Sequence, residues 1–426
     1  MLSALSCFCE TIFAYNRVDR GTFQSDGSVR DTQAAINAAP AGSVVQLPNG
    51  SYTWRSGITI NNGIWLRGQS EAGVTLNNDS GAETLITIRE SPVQMTQVSF
   101  LRVIDAGGHG IHLTVVGSNG GKPVLLHNCY FETKGAGVYR SIEWQTNGGV
   151  IWNCQFYSNA QDNSGIAFKA PSESKSWTTN STLGLEDASG TKNTYVEDCS
   201  FKDLFLQAID FDDNSRTVVR HCVFDNSAIT SHGQDTSLAG TRHWEVYQNN
   251  FIFTASGGKY PLNLNYFFYI RGGTGIISGN RIPDIKSQMW GDKSEILMTV
   301  FNIRRRGNQI PCQTKYPAAR QIGQSFRNGG PGTEPVYIWG NYGGGNFNNP
   351  GIVDWQPDEC GQGQLAADYL KRGRDYFTET ERPGYSPYPY PHPLRQKTFS
   401  NSVPGTERNA SGRSRTGHSE RQRRDQ

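Results

Sequence analysis

A four-residue phrase recurs through the middle of this chain. Asn128-Cys129-Tyr130-Phe131 returns as Asn153-Cys154-Gln155-Phe156, Asp198-Cys199-Ser200-Phe201 and His221-Cys222-Val223-Phe224. It degrades to Gln248-Asn249-Asn250-Phe251 and Gly279-Asn280-Arg281-Ile282. The first four phenylalanines are separated by 25, 45 and 23 residues, so the unit is one turn of 22–25 residues. The 45-residue interval is expected to hide a turn whose phrase is lost. A unit this short cannot bury its own apolar face and must stack on its neighbours. The expected architecture is a solenoid, whose long side wall can carry a site.

A solenoid also accommodates 426 residues without one oversized core, because each turn contacts only its neighbours. With 18% charged residues and 48 glycines, the chain reads as ordered, turn-rich β protein. No apolar run approaches the roughly 18 residues that cross a bilayer, so no membrane partner is expected. Met1 to Tyr15 is apolar but lacks a basic start and is interrupted by Glu10, which reads as a remnant signal peptide. The net charge of +2 is set by the tail. Residues 396–426 carry seven Lys/Arg against three Asp/Glu, and almost nothing apolar, so a disordered basic tail is expected. Contact of that tail with nucleic acid is the lesser expectation; the body has no basic bias, and a monomer is expected.

Four of the eight cysteines, Cys129, Cys154, Cys199 and Cys222, hold one repeat position that Asn249 and Asn280 then take over. Exchange of Cys for Asn suits an inward ladder at a turn, not a bridge or a metal site. No C-x-x-C occurs, which argues against zinc. Cys312 and Cys360 are candidates to pair across a loop.

Asp31-Thr32-Gln33-Ala34-Ala35-Ile36-Asn37-Ala38-Ala39 reads as a short helix with Asp31 as N-cap, closed by Pro40 and Gly42. Short strands follow at 44–47, 58–60, 64–66, 74–76 and 85–88, too close together for intervening helices. That helix, then Val44-Val45-Gln46-Leu47-Pro48-Asn49-Gly50-Ser51-Tyr52 and Gly63-Ile64-Trp65-Leu66-Arg67-Gly68, resembles the opening of right-handed parallel β-helix proteins of the pectate lyase superfamily. With the N-C-x-F coils the resemblance covers residues 25–345. Arg382-Pro383-Gly384-Tyr385-Ser386-Pro387-Tyr388-Pro389-Tyr390-Pro391-His392-Pro393-Leu394 is similar to the end of a bacterial subgroup of secreted β-helix proteins, mostly of unassigned activity. The resemblance implies an all-β fold: a single-stranded right-handed parallel β-helix with an N-terminal capping helix and an irregular C-terminal strap. The expected division is a terminal segment to residue 24, the β-helix over 25–345, a Pro/Tyr-rich cap and strap over 346–395, and the tail. It also implies an extracellular protein. From Lys286 to Gly363 the repeat is lost, and Arg304-Arg305-Arg306 there reads first as a solvated charge run. Residues 172–192 read as a loop projecting from the coil.

The strand after each phrase alternates apolar and polar residues, placing His112, Arg140, Lys169, Asp210, His232 and Arg271 at polar positions. Asp210 and His232 are 22 residues apart, one coil, and so are expected as neighbours on an outer wall. Arg271 follows one coil on. In Thr241-Arg242-His243-Trp244-Glu245-Val246-Tyr247 one alternate set must be internal, so a buried Arg or Glu there would be structurally paired. Asp212-Asp213 followed by Ser231-His232-Gly233 is similar in order and spacing to polygalacturonases, whose Asn-Thr-Asp and Arg-Ile-Lys motifs have no counterpart here.

Asp, His and Arg along an elongated wall suit an acidic polysaccharide. β-Elimination from a uronate needs a cation on the carboxylate and a base for the C5 proton. Arg271 or Arg242 is the candidate clamp, His232 the base, and Asp210 its orienter. Arg140, Lys169, His112 and Asp235 would extend the binding track, with Trp144 or Trp177 stacking sugar rings. Asp210, Asp212 and Asp213 could instead hold Ca²⁺, the one cofactor expected. The alternatives are an inverting glycoside hydrolase using Asp210 with Asp213 or Asp235, and a non-catalytic adhesin or tailspike-like glycan binder.

Overall fold

Strands follow one another in a fixed cycle of three directions. Val44–Leu47, Gly50–Trp54 and Ile58–Ile60 form one coil, and Trp65–Gly68, Val74–Asn78 and Ile86–Arg89 the next. Each coil strand pairs in parallel with its equivalents in the coils before and after; among the described residues this gives a first sheet of thirteen strands, begun by the antiparallel pair Asn16–Arg17 with Thr22–Gln24, and second and third sheets of ten each. A two-stranded antiparallel ribbon, Gln324–Arg327 with Gly330–Thr333, stands apart from them. The architecture is a parallel β-helix whose coils run to Tyr342–Gly343 and Gly351–Ile352, with Tyr376–Thr378 added to the first sheet. The structure, a computed structural model, describes residues 16–17, 21–81, 84–105, 110–118, 120–134, 140–158, 164–170, 187–204, 207–233, 240–252, 254, 266–282, 299–301, 322–327, 330–343, 348–352 and 366–396. Among these, no helix is long and apolar enough to cross a membrane.

The recurring phrase is the corner between the first and second sheets. Its leading residue, Asn128, Asn153, Asp198, His221 or Gln248, has φ of 51–57°, and Gly279 has φ of 60°. This left-handed conformation favours Asn, Asp and Gly, and it turns the chain sharply at each corner. The next residue then points inward. Cys129, Cys154, Cys199 and Cys222 are buried free thiols. From Asn249 onward the same position becomes an amide ladder: Asn249 Nδ2 donates to Asn280 Oδ1 at 3.0 Å, and Asn280 Nδ2 to Asn341 Oδ1 at 2.9 Å. The phenylalanines two places on stack in register, with centroids 5.3 Å apart for Phe131–Phe156 and 4.9 Å for Phe156–Phe201, Phe201–Phe224 and Phe224–Phe251.

No turn is hidden between Phe156 and Phe201. The two residues are direct ladder partners, as are Val150 and Tyr195, so the long interval is an insertion within one coil, between Ser164–Lys169 and Thr194–Glu197.

The early helix spans Val29–Ala38, and its N-cap is Ser28, not Asp31. Ser28 is extended and its hydroxyl accepts from the Asp31 amide at 3.2 Å, while Asp31 already lies in the first turn and accepts from the Asp26 amide at 2.8 Å. The helix packs against Thr22–Gln24, Val44–Leu47 and Ile58–Ile60, burying Ala35 and Ile36 at the first coil. At the other end of the chain, residues 382–396 run over the outer face of the first sheet. Tyr388 and Leu394 pack with Leu125, Tyr195 and Val218. Beside them Glu197, fully buried, accepts from Arg220 Nε at 2.9 Å and from Arg395 Nη1 at 2.9 Å. The expectations for residues 1–15, Trp177, Asp235, Arg304–Arg306, Cys312, Cys360 and the basic tail lie outside the described residues.

Candidate active site

The outer face of the third sheet gathers the ionisable residues of the wall. Thr114, Glu143, Ala167, Asp210, Thr230 and Tyr269 occupy successive rungs of one ladder row. Rungs lie about 4.8 Å apart. Two residues further along the strands, Lys169 pairs with Asp212. His232 and Arg271 directly follow the paired residues Ser231 and Ile270, so they continue that second row. Ile142, Ile166, Ile209 and Ile229 alternate with these positions and are fully buried inside the helix.

Asp210 and His232 meet, with His232 Nε2 3.1 Å from Asp210 Oδ1. The Asp210 carboxylate is held further. Gln207 Nε2 donates to Oδ2 at 3.1 Å, and the Thr230 hydroxyl lies 3.1 Å from Oδ1 and 2.9 Å from Gln207 Oε1. Arg271 is fixed through its neighbours: its amide donates to Ser231 Oγ and its Nε to the Ser231 carbonyl, both at 3.1 Å, and its guanidinium lies 4.9 Å from the centre of the Tyr269 ring. Gly272 allows the close approach beneath, since a Cβ there would come within 2.8 Å of the His232 carbonyl oxygen. Two rungs before Asp210, Glu143 pairs with Arg140, accepts from Gln145 Nε2 at 3.0 Å and lies 3.8 Å from Lys169 Nζ.

These contacts set the protonation states. Burial opposes the Asp210 charge, but His232, then Arg271 and Arg140, overcome it and lower the pKa to about 2. Burial likewise opposes the His232 imidazolium, yet Asp210 prevails over Arg271 and the His232 pKa is raised. Asp213 goes the other way, to about 6, through burial and the adjacent Asp212 charge, against the pull of Lys169 and His232. Its Oδ1 is buried with no hydrogen-bond partner among the described residues, and its φ is 23°. One wall thus holds an ionised carboxylate against an imidazole, and near them a carboxyl that titrates close to neutrality.

Of the residues expected on the wall, the structure brings Asp210, Asp212, Asp213, His232, Arg271, Arg140 and Lys169 to this face. Four expectations are corrected. Trp144 is fully buried, because it shares its row with Phe168, Phe211 and Ser231, which face the interior, and its Nε1 donates to the Gly148 carbonyl at 3.0 Å. It cannot stack a sugar. His112 precedes the strand Leu113–Val116 and turns inward at the corner, 2.9 Å from Asn78 Nδ2 and 3.0 Å from the Glu132 carbonyl; burial lowers its pKa to about 4. Arg242, ahead of His243–Tyr247, is fully buried and paired with Glu334 at 2.8 Å, which removes it from the wall as a clamp. A calcium site of Asp210, Asp212 and Asp213 is not assembled either. Among the described residues no three His, Cys, Asp or Glu side chains converge on a metal position, and both Asp210 oxygens are engaged.

Gln207, Thr230 and Glu143 escaped the sequence reading. A usable signal lay in the register: Arg140–Glu143 and Gln207–Asp210, each three residues apart, occupy the same two ladder positions.

A family model described as a right handed beta helix region matches residues 59–251. Over those residues the chain is similar to right handed β-helix regions, in agreement with the parallel coils described above. No curated protein matches the sequence. Among solved structures, an alginate lyase from Paenibacillus sp. str. FPU-7 is similar at 12% identity and a TM-score of 0.42, over 78% of this chain and 97% of that one. A mannuronic acid specific polysaccharide family 6 lyase from human gut microbiota is similar at 14% identity and a TM-score of 0.39, over 76% and 73%. The tailspike protein gp49 of Acinetobacter baumannii bacteriophage Fri1, a capsular polysaccharide depolymerase, is similar at 13% identity and a TM-score of 0.30, over 68% and 60%.

Proposed function

We propose that this protein is an extracellular enzyme that cleaves a uronate-containing polysaccharide by β-elimination on the outer wall of the third sheet. The observation that carries the reading is the 3.1 Å contact between His232 Nε2 and Asp210 Oδ1, on a face that also holds cationic side chains. Asp210, ionised and buried, raises the basicity of His232 and fixes the ring. His232 takes the C5 proton of a uronate. The electron pair released forms the C4–C5 double bond as the C4–O bond breaks, and the leaving oxygen takes a proton from Asp213, half protonated at about pH 6; the reacting form, with His232 neutral and Asp213 protonated, is a minor one near neutrality. Arg271 stabilises the negative charge that grows on the C6 carboxylate as the C5 proton leaves. Lys169, with about a quarter of its side chain exposed, and Arg140 extend the cationic track.

The separated acidities of Asp210 and Asp213 favour one second reading, glycoside hydrolysis with Asp213 as acid and Asp210 as base. A screen across pectate, alginate, glucuronan and neutral glycans separates the two. Elimination yields unsaturated ends with ultraviolet absorbance in step with new reducing ends, whereas hydrolysis yields reducing ends alone. A protein that retards glycans in a gel and yields neither product is a binder, and both enzymatic readings then fail.

A further inference from the structure

Asp210 does not meet His232 through the ladder alone. The register sets Thr230 beside Asp210, and His232 stands two residues further along that strand. A carboxylate free to rotate could present either oxygen, or neither, to the imidazole. Here both oxygens are assigned: Gln207 takes Oδ2 at 3.1 Å, leaving Oδ1 to His232 and the Thr230 hydroxyl. The Thr230 oxygen also lies 2.9 Å from Gln207 Oε1, which closes a ring of three side chains around the carboxylate. Thr230 has a single hydroxyl proton, so it serves one of its two acceptors at a time.

The same wall offers a comparison. Two coils earlier, at the positions that Gln207 and Asp210 occupy, stand Arg140 and Glu143, and these form an ion pair. At Asp210 the arginine is replaced by a neutral amide. An amide satisfies a buried carboxylate oxygen without adding a cation beside it, so Gln207 holds the carboxylate without competing with His232 for its charge.

We infer that Gln207 and Thr230 are positioning residues, which orient the Asp210 carboxylate toward His232 without adding a cation of their own. The inference rests on the elimination reading for its kinetic consequence, but not for its structural one. Charged groups facing His232 are Asp210 and Asp212 of its neighbouring strand, Asp213 of the turn after it, and Arg271 of the following coil. Gln207 touches Asp210, and any effect of its replacement on His232 passes through that carboxylate.

The test is a Gln207→Arg variant of the full chain, with Thr230→Val and Thr230→Ser alongside. Imidazole titration by NMR is expected to move His232 down by about one pH unit in Gln207→Arg, because the new cation pairs with Asp210 as Arg140 pairs with Glu143. On a cleaved uronan, kcat is expected to fall by roughly ten-fold or more with KM little changed, and the acid limb of kcat/KM to move down with the imidazole. Thr230→Val should lower kcat in the same way, and Thr230→Ser, which keeps the hydroxyl, should restore it. An unshifted His232 titration in a folded Gln207→Arg protein would overturn the inference, as would a Thr230→Ser variant no better than Thr230→Val. Absence of product from the wild-type protein on every uronan would instead sink the elimination reading, while the titration remains decisive for Gln207.

Discussion

His232 reaches across the ladder to Asp210, placing Nε2 3.1 Å from a carboxylate whose in-register neighbour is Thr230. Asp210→Asn preserves the shape of this contact and removes the charge. Its pull on His232 is upward, so the variant lowers the imidazole pKa, and the acid limb of kcat/KM shifts to lower pH. Because the base is weaker and its ring is no longer held by a charge, kcat is expected to drop by ~10²–10⁴-fold. A pH profile with an unmoved acid limb and near-wild-type kcat would remove Asp210 from the mechanism.

His232→Ala tests the other partner. It leaves the Asp210 carboxylate with Gln207 and Thr230, so the fold should survive while elimination falls by at least ~10²-fold. Circular dichroism checks the fold, and product absorbance checks the chemistry. Full activity in a folded His232→Ala protein contradicts the assignment of the base.

Lys169 stands in register with Asp212 on the outward row, 3.8 Å from Glu143. As a partly exposed cation it contributes on the order of 1 kcal/mol to holding an anionic chain. Lys169→Ala should therefore raise KM about five-fold, change kcat little, and weaken the salt dependence of kcat/KM. The comparison requires only initial rates at two ionic strengths. A variant with unchanged KM at low salt would take Lys169 out of the track.

The phenylalanine column stabilises the helix independently of the site. Phe201 is fully buried, with Phe156 and Phe224 each 4.9 Å away between ring centres. Phe201→Ala opens a cavity between two coils and should cost ~3–5 kcal/mol in denaturant unfolding. A loss below ~1 kcal/mol would mean that the neighbouring rings close the gap.

Much of this was legible in the sequence because the corner is chemically demanding. A left-handed residue followed by an inward small polar or thiol side chain leaves a recurring mark, and counting from it brought Asp210, His232 and Arg271 to one wall. The 45-residue interval misled because the phrase marks corners and says nothing of what is inserted between them; Phe156 and Phe201 are simply adjacent rungs. Polar type also failed at strand ends. His112 lies at a corner and turns in to contact Asn78 and Glu132, whereas Arg242 is neutralised by Glu334, 92 residues further along the chain. Gln207 and Thr230 were unremarkable as residue types, and only the register gave them a carboxylate to hold.

His112 offers a test of stability against pH that does not involve the catalytic wall. Burial between Asn78 and the Glu132 carbonyl lowers its folded pKa to about 4, whereas an unfolded chain titrates near 6.5. Above about pH 6.5 neither state carries the proton, and the contribution is fully present. As the pH falls toward 4 the unfolded state binds a proton that the folded state refuses, and stability drops by roughly 3 kcal/mol across that window. Below pH 4 both states are protonated and the loss levels off. A His112→Gln variant lacks this titration, so the stability gap between wild type and variant should narrow by roughly that amount between pH 7.5 and 4. Urea unfolding at those two pH values measures the gap, and a gap that stays constant would show that His112 accepts its proton equally well in the folded protein.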